Sequence, residues 1–536
     1  MAVSYSTKGL DHLGLVSGMC KDIGIAKFID AAHPNQSKDK RISYGQLVEA
    51  MILNGLGFVG RTLHMYPEYF TERPVERLLG KGIKAEHIND DALGRCLDQL
   101  YETGVSELFQ GLSARTISHL KLPCEALNLD STSIHVDGKY KDEDGNAAIQ
   151  LVRGYSRDHR PELNQVVLNL ITENQAGIPV YMQAASGNIN DSEGFKNIVK
   201  QHVKSLKAAH NNRYFIGDAA LYTAETIQSL DEQNQLFISR APQKLTLVKA
   251  AISAQDNYHF TPLENGYSAT WIDSTYGDVK QRWLLVFSEQ AKKREQHTLN
   301  KRMLKDSSDA LKSLGKLSKQ RFACHSDAMK ALNIWIKSQA SMSLGDINVI
   351  EHPIFTKCGR PKTGQTPDGY EYQITGMLAS KLSFHEQKSS EKGLFMLATN
   401  DCSEALTMSK MLELYKSQQS VEKGFRFLKS PDFLTSSLYL KKAERIEALL
   451  MIMTCCLMVY AALEHKIREE LKAKEAYFPN LKYKPCQNPT ARWVFFCFQG
   501  IDILTVSEEQ QLVLNIKERN RIIINYMGPT YQQIYS

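Results

Sequence analysis

The alternation of strand and helix patterns between residues 126 and 240 constrains the fold of this 536-residue chain most strongly. Three strand-like runs come first, and helix-like and strand-like runs then alternate. In order, they are strands at 126–136, 165–172 and 178–184, a helix capped by Asp191 and ending near Ala209, a strand at 213–217, a helix capped by Thr223 and a strand at 236–240. An antiparallel start followed by such alternation predicts a mixed sheet covered by helices, which is an α/β fold.

Two aspartates occupy strand positions in this segment. Asp130 lies in the first strand, and Asp218 ends the strand that begins at Arg213. Because strand ends in one sheet lie side by side, the two carboxylates can share a site. Carboxylates are the ligands of hard cations such as Mg²⁺, and two such ions can activate an attacking oxygen and stabilise the leaving oxygen of a phosphodiester. Taken alone, Asp218 is better explained as a capping carboxylate, because it precedes a helix.

A third carboxylate lies on a polar helical face between Tyr415 and Lys429. At 100° per residue, five side chains share a narrow arc of this predicted helix: Tyr415, Gln418, Glu422, Arg426 and Lys429. The pair Ser430-Pro431 ends the helix, since the residue before a proline is pushed out of the helical region. Taken alone, this face is better explained as a solvated surface with i,i+4 charge pairs. Together with the two strand aspartates, this face could supply the third carboxylate ligand of a metal site, Glu422.

The strand order describes a ribonuclease-H-like sheet that is interrupted by an insertion and completed by a strand at 394–399. The first 120 residues carry helical patterns at 9–18, 23–32, 43–54, 74–79 and 92–112, with a capping box at Ser43 and Gln46. Residues 448–463 form an apolar run shorter than the roughly 20 residues that a bilayer requires, so we expect a buried core helix within 441–474.

We expect five segments along the chain. They are a helical N-terminal domain for DNA binding or dimerisation at 1–120, the first part of the ribonuclease-H-like domain at 121–240, an insertion domain with strands and basic helices at 241–390, the second part of the ribonuclease-H-like domain at 391–475, and a C-terminal segment at 476–536.

The overall composition narrows the function only slightly. A net charge of +6 and a pI near 8.6 are compatible with nucleic acid binding but not specific for it. The charge concentrates at 292–321, with ten Lys or Arg against three Asp or Glu. The ten cysteines lack zinc-binding spacing, and the first residues lack the apolar stretch of a secretion signal. We therefore expect reduced thiols and a cytoplasmic protein with no membrane partner.

The ordered set of Asp130, Asp218 and Tyr415-x2-Gln418-x3-Glu422-x6-Lys429 resembles the acidic triad and the Tyr-Arg-Glu-Lys signature of bacterial DDE transposases of the insertion-sequence-four superfamily. Further matching stretches are Gly154–Leu163, Gly187–Asp191, Gln281–Leu284 and Glu444–Glu447, so the resemblance covers most of the chain. One position departs from the pattern, because Gln418 stands where the signature has arginine. Gln418 can hydrogen-bond a DNA phosphate but lacks the charged bidentate fork of arginine. Weaker binding of DNA ends is therefore expected, or a phosphate contact from a nearby cation, with Lys416 and Arg426 as the candidates.

The resemblance implies a homodimer on DNA, associated with the bacterial nucleoid. It would hydrolyse a phosphodiester at the terminal inverted repeats of its own insertion sequence and join the freed 3′-hydroxyl to target DNA, which is cut-and-paste transposition. Asp130, Asp218 and Glu422 would be the catalytic residues and would hold two Mg²⁺ ions, with Mn²⁺ as a substitute. Tyr415 and Lys429 would contact phosphates near the cleaved end.

Other DNA contacts are expected around this centre. A hairpin on the excised end would place a flipped base on an aromatic side chain, with Trp283 as the first candidate and Trp271 as the second. A buried strand tryptophan is the competing interpretation of Trp283. Arg157 and Arg160 could approach phosphates, although a surface loop explains them nearly as well.

Two other functions fit the same residues. The chain could be a DNA-binding protein of transposase descent that no longer cuts, an alternative that rests on Gln418. It could also be a ribonuclease-H-like nuclease of another function, which would cleave unrelated DNA as readily as terminal repeats.

Overall fold

The computed structural model describes residues 5–34, 41–58, 63–136, 149–356, 359–360, 362, 364–430, 440, 442–506 and 510–536. Its contacts divide the chain into two compact units. Unit 1 comprises Met1–Arg240, Ser274–Arg282 and Ala398–Ser536, and unit 2 comprises Ala241–Asp273 and Trp283–Leu397. The predicted stop at Pro431 and the predicted helix start at Lys441 lie outside the described residues.

Within the described residues the helices are α1 (Leu13–Ile23), α2 (Ile25–Ala32), α3 (Tyr44–Leu56), α4 (Tyr66–Thr71), α5 (Val75–Leu79), α6 (Asp90–Thr103), α7 (Val105–Leu120), α8 (Asp191–His210), α9 (Ala224–Glu232), α10 (Thr246–Ser253), α11 (Glu289–Leu317), α12 (His325–Ser338), α13 (Leu382–Ser390), α14 (Met408–Lys416), α15 (Gln419–Leu428), α16 (Ala443–Ala473), α17 (Ala491–Phe498), α18 (Glu518–Met527) and α19 (Pro529–Ile534). The strands are β1 (Tyr5–Gly9), β2 (Ala126–Val136), β3 (Asn164–Glu173), β4 (Pro179–Ser186), β5 (Tyr214–Gly217), β6 (Leu236–Ala241), β7 (Thr261–Leu263), β8 (Tyr267–Tyr276), β9 (Val279–Ser288), β10 (Met342–Ile354), β11 (Gly369–Ser380), β12 (Leu394–Thr399), β13 (Phe478–Pro479), β14 (Pro485–Cys486), β15 (Asp502–Val506) and β16 (Gln510–Leu514).

The sheet of unit 1 is mixed, and its strands follow the order β4-β3-β2-β5-β6. Strands β2, β3 and β4 pair antiparallel, whereas β5 and β6 continue the sheet in parallel with β2. Nearly every residue of β3 is buried, as in a strand that is covered on both faces. Helices α7 and α16 contact β4, and α15 contacts β2 and β3. The predicted α/β fold with an antiparallel start is confirmed.

Helix α16 forms the apolar centre of unit 1. It is the helix, among the described residues, that is long and apolar enough to cross a membrane, and 78% of its apolar window is buried inside the protein. Helices α1, α3, α6 and α7 pack against it. This burial confirms the predicted core helix.

The prediction of an all-helical N-terminal segment is wrong in one element. Strand β1 pairs antiparallel with β15, so that Tyr5 lies opposite Val506, and β15 also pairs with β16. The five residues of β1 are mostly exposed and show no strand pattern of their own. Their conformation depends on a partner about 500 residues away in the sequence, which no local pattern indicates.

The predicted helix at 92–112 is also two helices, α6 and α7. Gly104 joins them with a φ of 103°, a conformation that glycine adopts without the steric cost of a side chain. The predicted capping box is confirmed, because the Ser43 hydroxyl accepts a hydrogen bond from the Gln46 amide and the Gln46 side chain accepts one from the Ser43 amide.

Unit 2 has its own apolar core between two helices and a β-hairpin. The buried residues of this core are Ala310, Leu314, Leu317, Ala328, Leu332, Trp335, Met342 and Ile374. Strands β10 and β11 form the hairpin, from Met342 opposite Ser380 to Ile354 opposite Gly369. The Trp335 indole donates a hydrogen bond to the Ser313 hydroxyl at 2.9 Å, which satisfies its polar atom inside this core.

The buried carboxyl group of Glu49 on α3 makes the stability of unit 1 depend on pH. Burial raises its pKa to about 7, although the Ala26 amide donates a hydrogen bond to it at 3.3 Å. The folded state therefore binds a proton that the unfolded chain releases at its lower pKa, so the stabilisation is complete below the unfolded pKa and is lost as pH rises toward 7.

We expect Glu49→Gln to remove this part of the pH dependence, because the amide stays neutral at every pH. Between pH 5 and pH 8 the free energy of unfolding of the parent should fall by up to about 3 kcal/mol more than that of the variant. Urea denaturation at both pH values measures this difference. Glu232→Gln, at an exposed position of α9, is the control and should keep the pH dependence of the parent. Equal pH dependence in Glu49→Gln and the parent would contradict the assignment.

Close packing of α15 on α16 requires a glycine at position 424. A Cβ atom there would lie 2.9 Å from Leu457 Cδ2. We expect Gly424→Ala to lower the free energy of unfolding by about 1–3 kcal/mol, because the steric clash exceeds the gain in helix propensity. Gly194→Ala in α8 is the matched control, since its Cβ would meet no atom closer than 3.6 Å. The prediction fails if the two variants unfold at the same urea concentration.

Candidate active site

The parallel pairing of β2 with β5 brings two of the predicted residues together. Leu129 lies opposite Gly217, so the next residues along the two strands are Asp130 and Asp218. Neighbouring strands are about 4.8 Å apart. Because β2 and β5 run parallel, Asp130 and Asp218 both follow the last paired residues at the same end of this strand pair. The predicted meeting of the two aspartates therefore follows from the strand register.

The Asp130 side chain is only 16% exposed, and this burial raises its pKa. Burial and the neighbouring carboxylates of Asp218 and Glu422 raise the pKa of Asp130 to about 7, against a hydrogen bond from the Ser131 amide at 2.7 Å and the positive charge of Arg157. A carboxyl group that loses hydration beside like charges favours its neutral form. The site thus gathers negative charge that a cation could neutralise.

Asp218 lies in a similar environment. Burial raises its pKa, and Asp191 adds to this shift, whereas the Ala220 amide, Arg157 and Arg240 oppose it. The Ala220 amide donates to its carboxylate at 2.9 Å, and the Ser239 hydroxyl donates to its main-chain oxygen at 2.8 Å. These two hydrogen bonds hold the residue at the end of β5.

The predicted single helix from Tyr415 to Lys429 is wrong, because α14 ends at Lys416 and α15 begins at Gln419. The Ser417 hydroxyl donates to the Leu414 carbonyl at 2.6 Å and to Asn128 Oδ1 on β2 at 3.1 Å. The backbone amides of Gln418, Ser420 and Val421 each donate to the carbonyl three residues earlier instead of four. A serine that bonds to its own helix backbone and to the sheet interrupts the regular ladder, which explains the break.

Glu422 lies in the first turn of α15 and is exposed. The opposite side of α15 is apolar, and its buried residues are Val421, Gly424, Phe425 and Leu428. Helix α15 also contacts β2 and β3, and the charge of Glu422 is near enough to add to the raised pKa of Asp130. Asp130 and Asp218 are thus neighbours in unit 1, and Glu422 is within electrostatic reach of Asp130.

Tyr415 also belongs to this cluster. Burial raises the pKa of its hydroxyl, Arg240 opposes the shift, and the charges of Asp218, Glu422 and Asp130 add to it. Its hydroxyl is therefore positioned beside the carboxylates. Arg240, at the end of β6, is a cation of this site that the sequence analysis did not identify.

Gln418 is placed differently from the prediction. It is only 8% exposed, and its side-chain amide donates to the Leu129 carbonyl at 3.4 Å. This contact fixes the start of α15 to β2 beside Asp130. The predicted phosphate contact through Gln418 does not fit this burial, because the amide faces the sheet.

A fourth carboxylate, Asp191, was predicted only as a helix cap. Asn190 is the N-cap of α8, and the Asp191 carboxylate instead accepts hydrogen bonds from Ser131 at 2.8 Å and Arg157 at 2.6 Å. Arg157 also donates to the Ser131 hydroxyl at 2.7 Å and lies 3.8 Å from Asp130. The predicted DNA contact Arg157 is thus held among the carboxylates. The sequence did contain a signal for this second role of Asp191. Asn190 and Asp191 are both residues that cap helices, but only one of them can be the N-cap, which leaves the other side chain available for different contacts.

The remaining basic residues near the site differ in their pairing. Lys429 donates to Asp158 Oδ2 at 2.8 Å, and His135 lies 3.3 Å from the same oxygen. Arg160 pairs with Glu162 at the surface. Arg426 is exposed on α15. In this conformation Lys429 and Arg160 therefore each have a carboxylate partner.

The tryptophans predicted to stack on a flipped base lie in unit 2. Trp283 is 1% exposed in β9, so it cannot meet a base in this conformation, and the competing interpretation of a buried strand tryptophan is the one observed. Buried strands favour large aromatic side chains, so a tryptophan in a strand is compatible both with core packing and with base stacking. Trp271 is partly buried in β8.

The carboxylates provide oxygen ligands for a divalent cation but do not form a closed cage. Within the part of the chain that the structure describes, no three Asp, Glu, His or Cys side chains converge closely enough to hold a metal ion by themselves. Mg²⁺ is usually bound through one or two carboxylates, with water and substrate phosphates completing its shell. The buried, mutually repelling carboxylates of Asp130 and Asp218 fit this kind of site.

Comparisons with known proteins identify the family. A model described as a transposase DDE domain matches residues 125–459, which is more than half of the chain. A second model, a domain of unknown function (DUF4277), matches residues 5–114. No curated protein matches the chain. A chain in the cryo-EM structure of the piggyBac transposase synaptic complex with hairpin DNA aligns with a TM-score of 0.38 and 11% identity, over 90% of this chain and 79% of that chain. On the match over residues 125–459, this chain belongs to the transposase DDE domain family.

Proposed function

We propose that this protein is an active cut-and-paste DNA transposase that acts on the terminal inverted repeats of its own insertion sequence. The observation that supports the proposal is that Asp130 and Asp218 occupy neighbouring strand positions, with the charge of Glu422 acting on Asp130, in a chain that belongs to the transposase DDE domain family. The partners would be the element ends and target DNA, bound by a homodimer. The catalytic fold would be ribonuclease-H-like, with the expected segment boundaries at 120, 240, 390 and 475.

On the strand that is joined to target DNA, the reaction would proceed in two steps at one site. Water attacks the phosphorus at the element end and breaks its bond to the 3′-oxygen, which leaves a 3′-hydroxyl group. That hydroxyl then attacks a target phosphodiester, joins the element to the target and releases a target 3′-oxygen. Both steps are in-line displacements at phosphorus that need charge stabilisation on the attacking and leaving oxygens.

Asp130, Asp218 and Glu422 would hold divalent cations, Mg²⁺ or Mn²⁺ and two in number, which when bound activate the attacking oxygen and stabilise the leaving oxygen. Arg157 would keep Asp191 and Ser131 in place beside Asp130 through its hydrogen bonds. The Tyr415 hydroxyl would contact a phosphate near the cleaved end, and Lys429 would do so by exchanging Asp158 for DNA. Burial of Gln418 means that its amide would support α15 instead of binding DNA.

The proposal predicts that each of the three carboxylates is essential. Asp130→Asn, Asp218→Asn and Glu422→Gln should each slow nicking and joining of DNA that carries the terminal repeats by about a thousandfold, because loss of a bound cation removes several kcal/mol of charge stabilisation. The measurement is strand cleavage and joining on labelled repeat DNA with Mg²⁺ or Mn²⁺. Glu225→Gln, at an exposed carboxylate of α9, is the control and should keep parental activity.

Two results would contradict the proposal. If any of the three variants cut at the parental rate, the triad assignment would be wrong. If the parent cleaved unrelated duplexes as readily as terminal repeats and joined no ends, a general nuclease would be the better description.

A further inference from the structure

Helix α11 of unit 2 has two opposite sides of different chemistry. Ala310, Leu314 and Leu317 are buried on one side, where they join the core with α12 and the β10–β11 hairpin. Basic residues dominate the other side. An exposed helix side that is basic over its length and lies opposite a packed side is available to a partner with negative charge.

Five basic residues form one row on this helix. At 100° per residue, they fall within an arc of about 60° centred on the side away from Leu314. These residues, called here the basic stripe, are Arg294, Lys301, Lys305, Lys312 and Lys316, and all five are exposed. The stripe thus runs nearly parallel to the helix axis.

The charges of the stripe are largely unneutralised. Lys312 has a carboxylate partner in Asp309, at 4.0 Å. Among the residues that the structure describes, the other four stripe residues form no ion pair. Two of the acidic residues of α11 are engaged elsewhere, because Glu289 pairs with Lys293 and Glu295 accepts a hydrogen bond from the Gly393 amide. The stripe therefore presents a net positive line to solvent.

The length of the stripe matches duplex DNA. From Arg294 to Lys316 the helix rises about 33 Å, and one turn of B-DNA spans about 34 Å. Duplex DNA carries about one negative charge per 1.7 Å of its axis, so a row of cations of this length faces a strongly negative surface over a whole helical turn. Lysine-rich contacts of this kind position a protein on the backbone without reading bases.

We propose that the basic stripe binds the sugar–phosphate backbone of duplex DNA without sequence preference. This binding site belongs to unit 2, whereas the carboxylates belong to unit 1, and it deepens the proposed function by naming a second DNA contact of the same protein. Its role would be to add sequence-independent affinity, which rests on the proposal that DNA is the substrate.

The test compares two full-length variants with equal loss of charge. The stripe variant carries Lys301→Gln, Lys305→Gln, Lys312→Gln and Lys316→Gln. The control variant carries Lys293→Gln, Arg302→Gln, Lys330→Gln and Lys337→Gln, at exposed positions of α11 and α12 outside the stripe. Binding to a labelled duplex of random sequence is measured by fluorescence anisotropy without divalent metal, between 50 and 200 mM salt. Equal thermal unfolding midpoints establish that both variants are folded.

Counterion release gives the expected size of the effect. Loss of four phosphate contacts should make the slope of log affinity against log salt shallower by about 3–4 and weaken binding at least about tenfold. The control variant should stay within about twofold of the parent. Equal losses in both variants, an unchanged slope in the stripe variant, or tighter binding of duplex RNA than of DNA would overturn the proposal.

The same assay separates this inference from the proposed function. If the parent bound duplex DNA through the stripe but cut no repeat DNA, the proposed transposase activity would fail and the stripe would stand. If the stripe variant bound random duplex like the parent while the parent still cut repeat ends, the stripe assignment alone would fail.

Discussion

The parallel register between β2 and β5 is the constraint on which the rest of the candidate site depends. It places Leu129 opposite Gly217, so Asp130 and Asp218 follow as neighbours. Helix α15 contacts β2 and β3, and the charge of Glu422 on this helix adds to the raised pKa of Asp130. A shift of one residue in either strand would turn one aspartate to the other face of the sheet and separate the pair.

Gathering these carboxylates costs free energy, and the surrounding residues offset part of that cost. Burial and like charges push Asp130 toward its neutral form, with a pKa of about 7. Arg157 and Arg240 oppose this effect on the aspartates, and Arg157 is itself held by Asp191 and Ser131. Repulsion between neighbouring buried carboxylates is common where a protein binds a cation, since the cation supplies the positive charge that neutralises them.

The sequence predicted correctly those helices, strands and caps that are determined by residues close together in the chain. The strands at 126–136 and 236–240 and the cap at Ser43 follow from residues within a few positions of one another. The break at Ser417 did not, because it depends on a hydrogen bond to Asn128 on another element. The pairing of β1 with β15 and the burial of Trp283 likewise depend on partners far along the chain. Asp191 and Arg240 were missed as site residues because each has an ordinary local role, as a helix start and a strand end.

The central claim is that Asp130, Asp218 and Glu422 together bind the divalent cations of a DNA-cutting site. Anomalous scattering of Mn²⁺ in crystals of the protein bound to duplex DNA with its terminal repeat tests this claim most directly. The account predicts Mn²⁺ density about 2.0–2.2 Å from oxygens of these three carboxylates and of a DNA phosphate. Mn²⁺ bound elsewhere, with all three carboxylates unliganded in the presence of DNA, would contradict it.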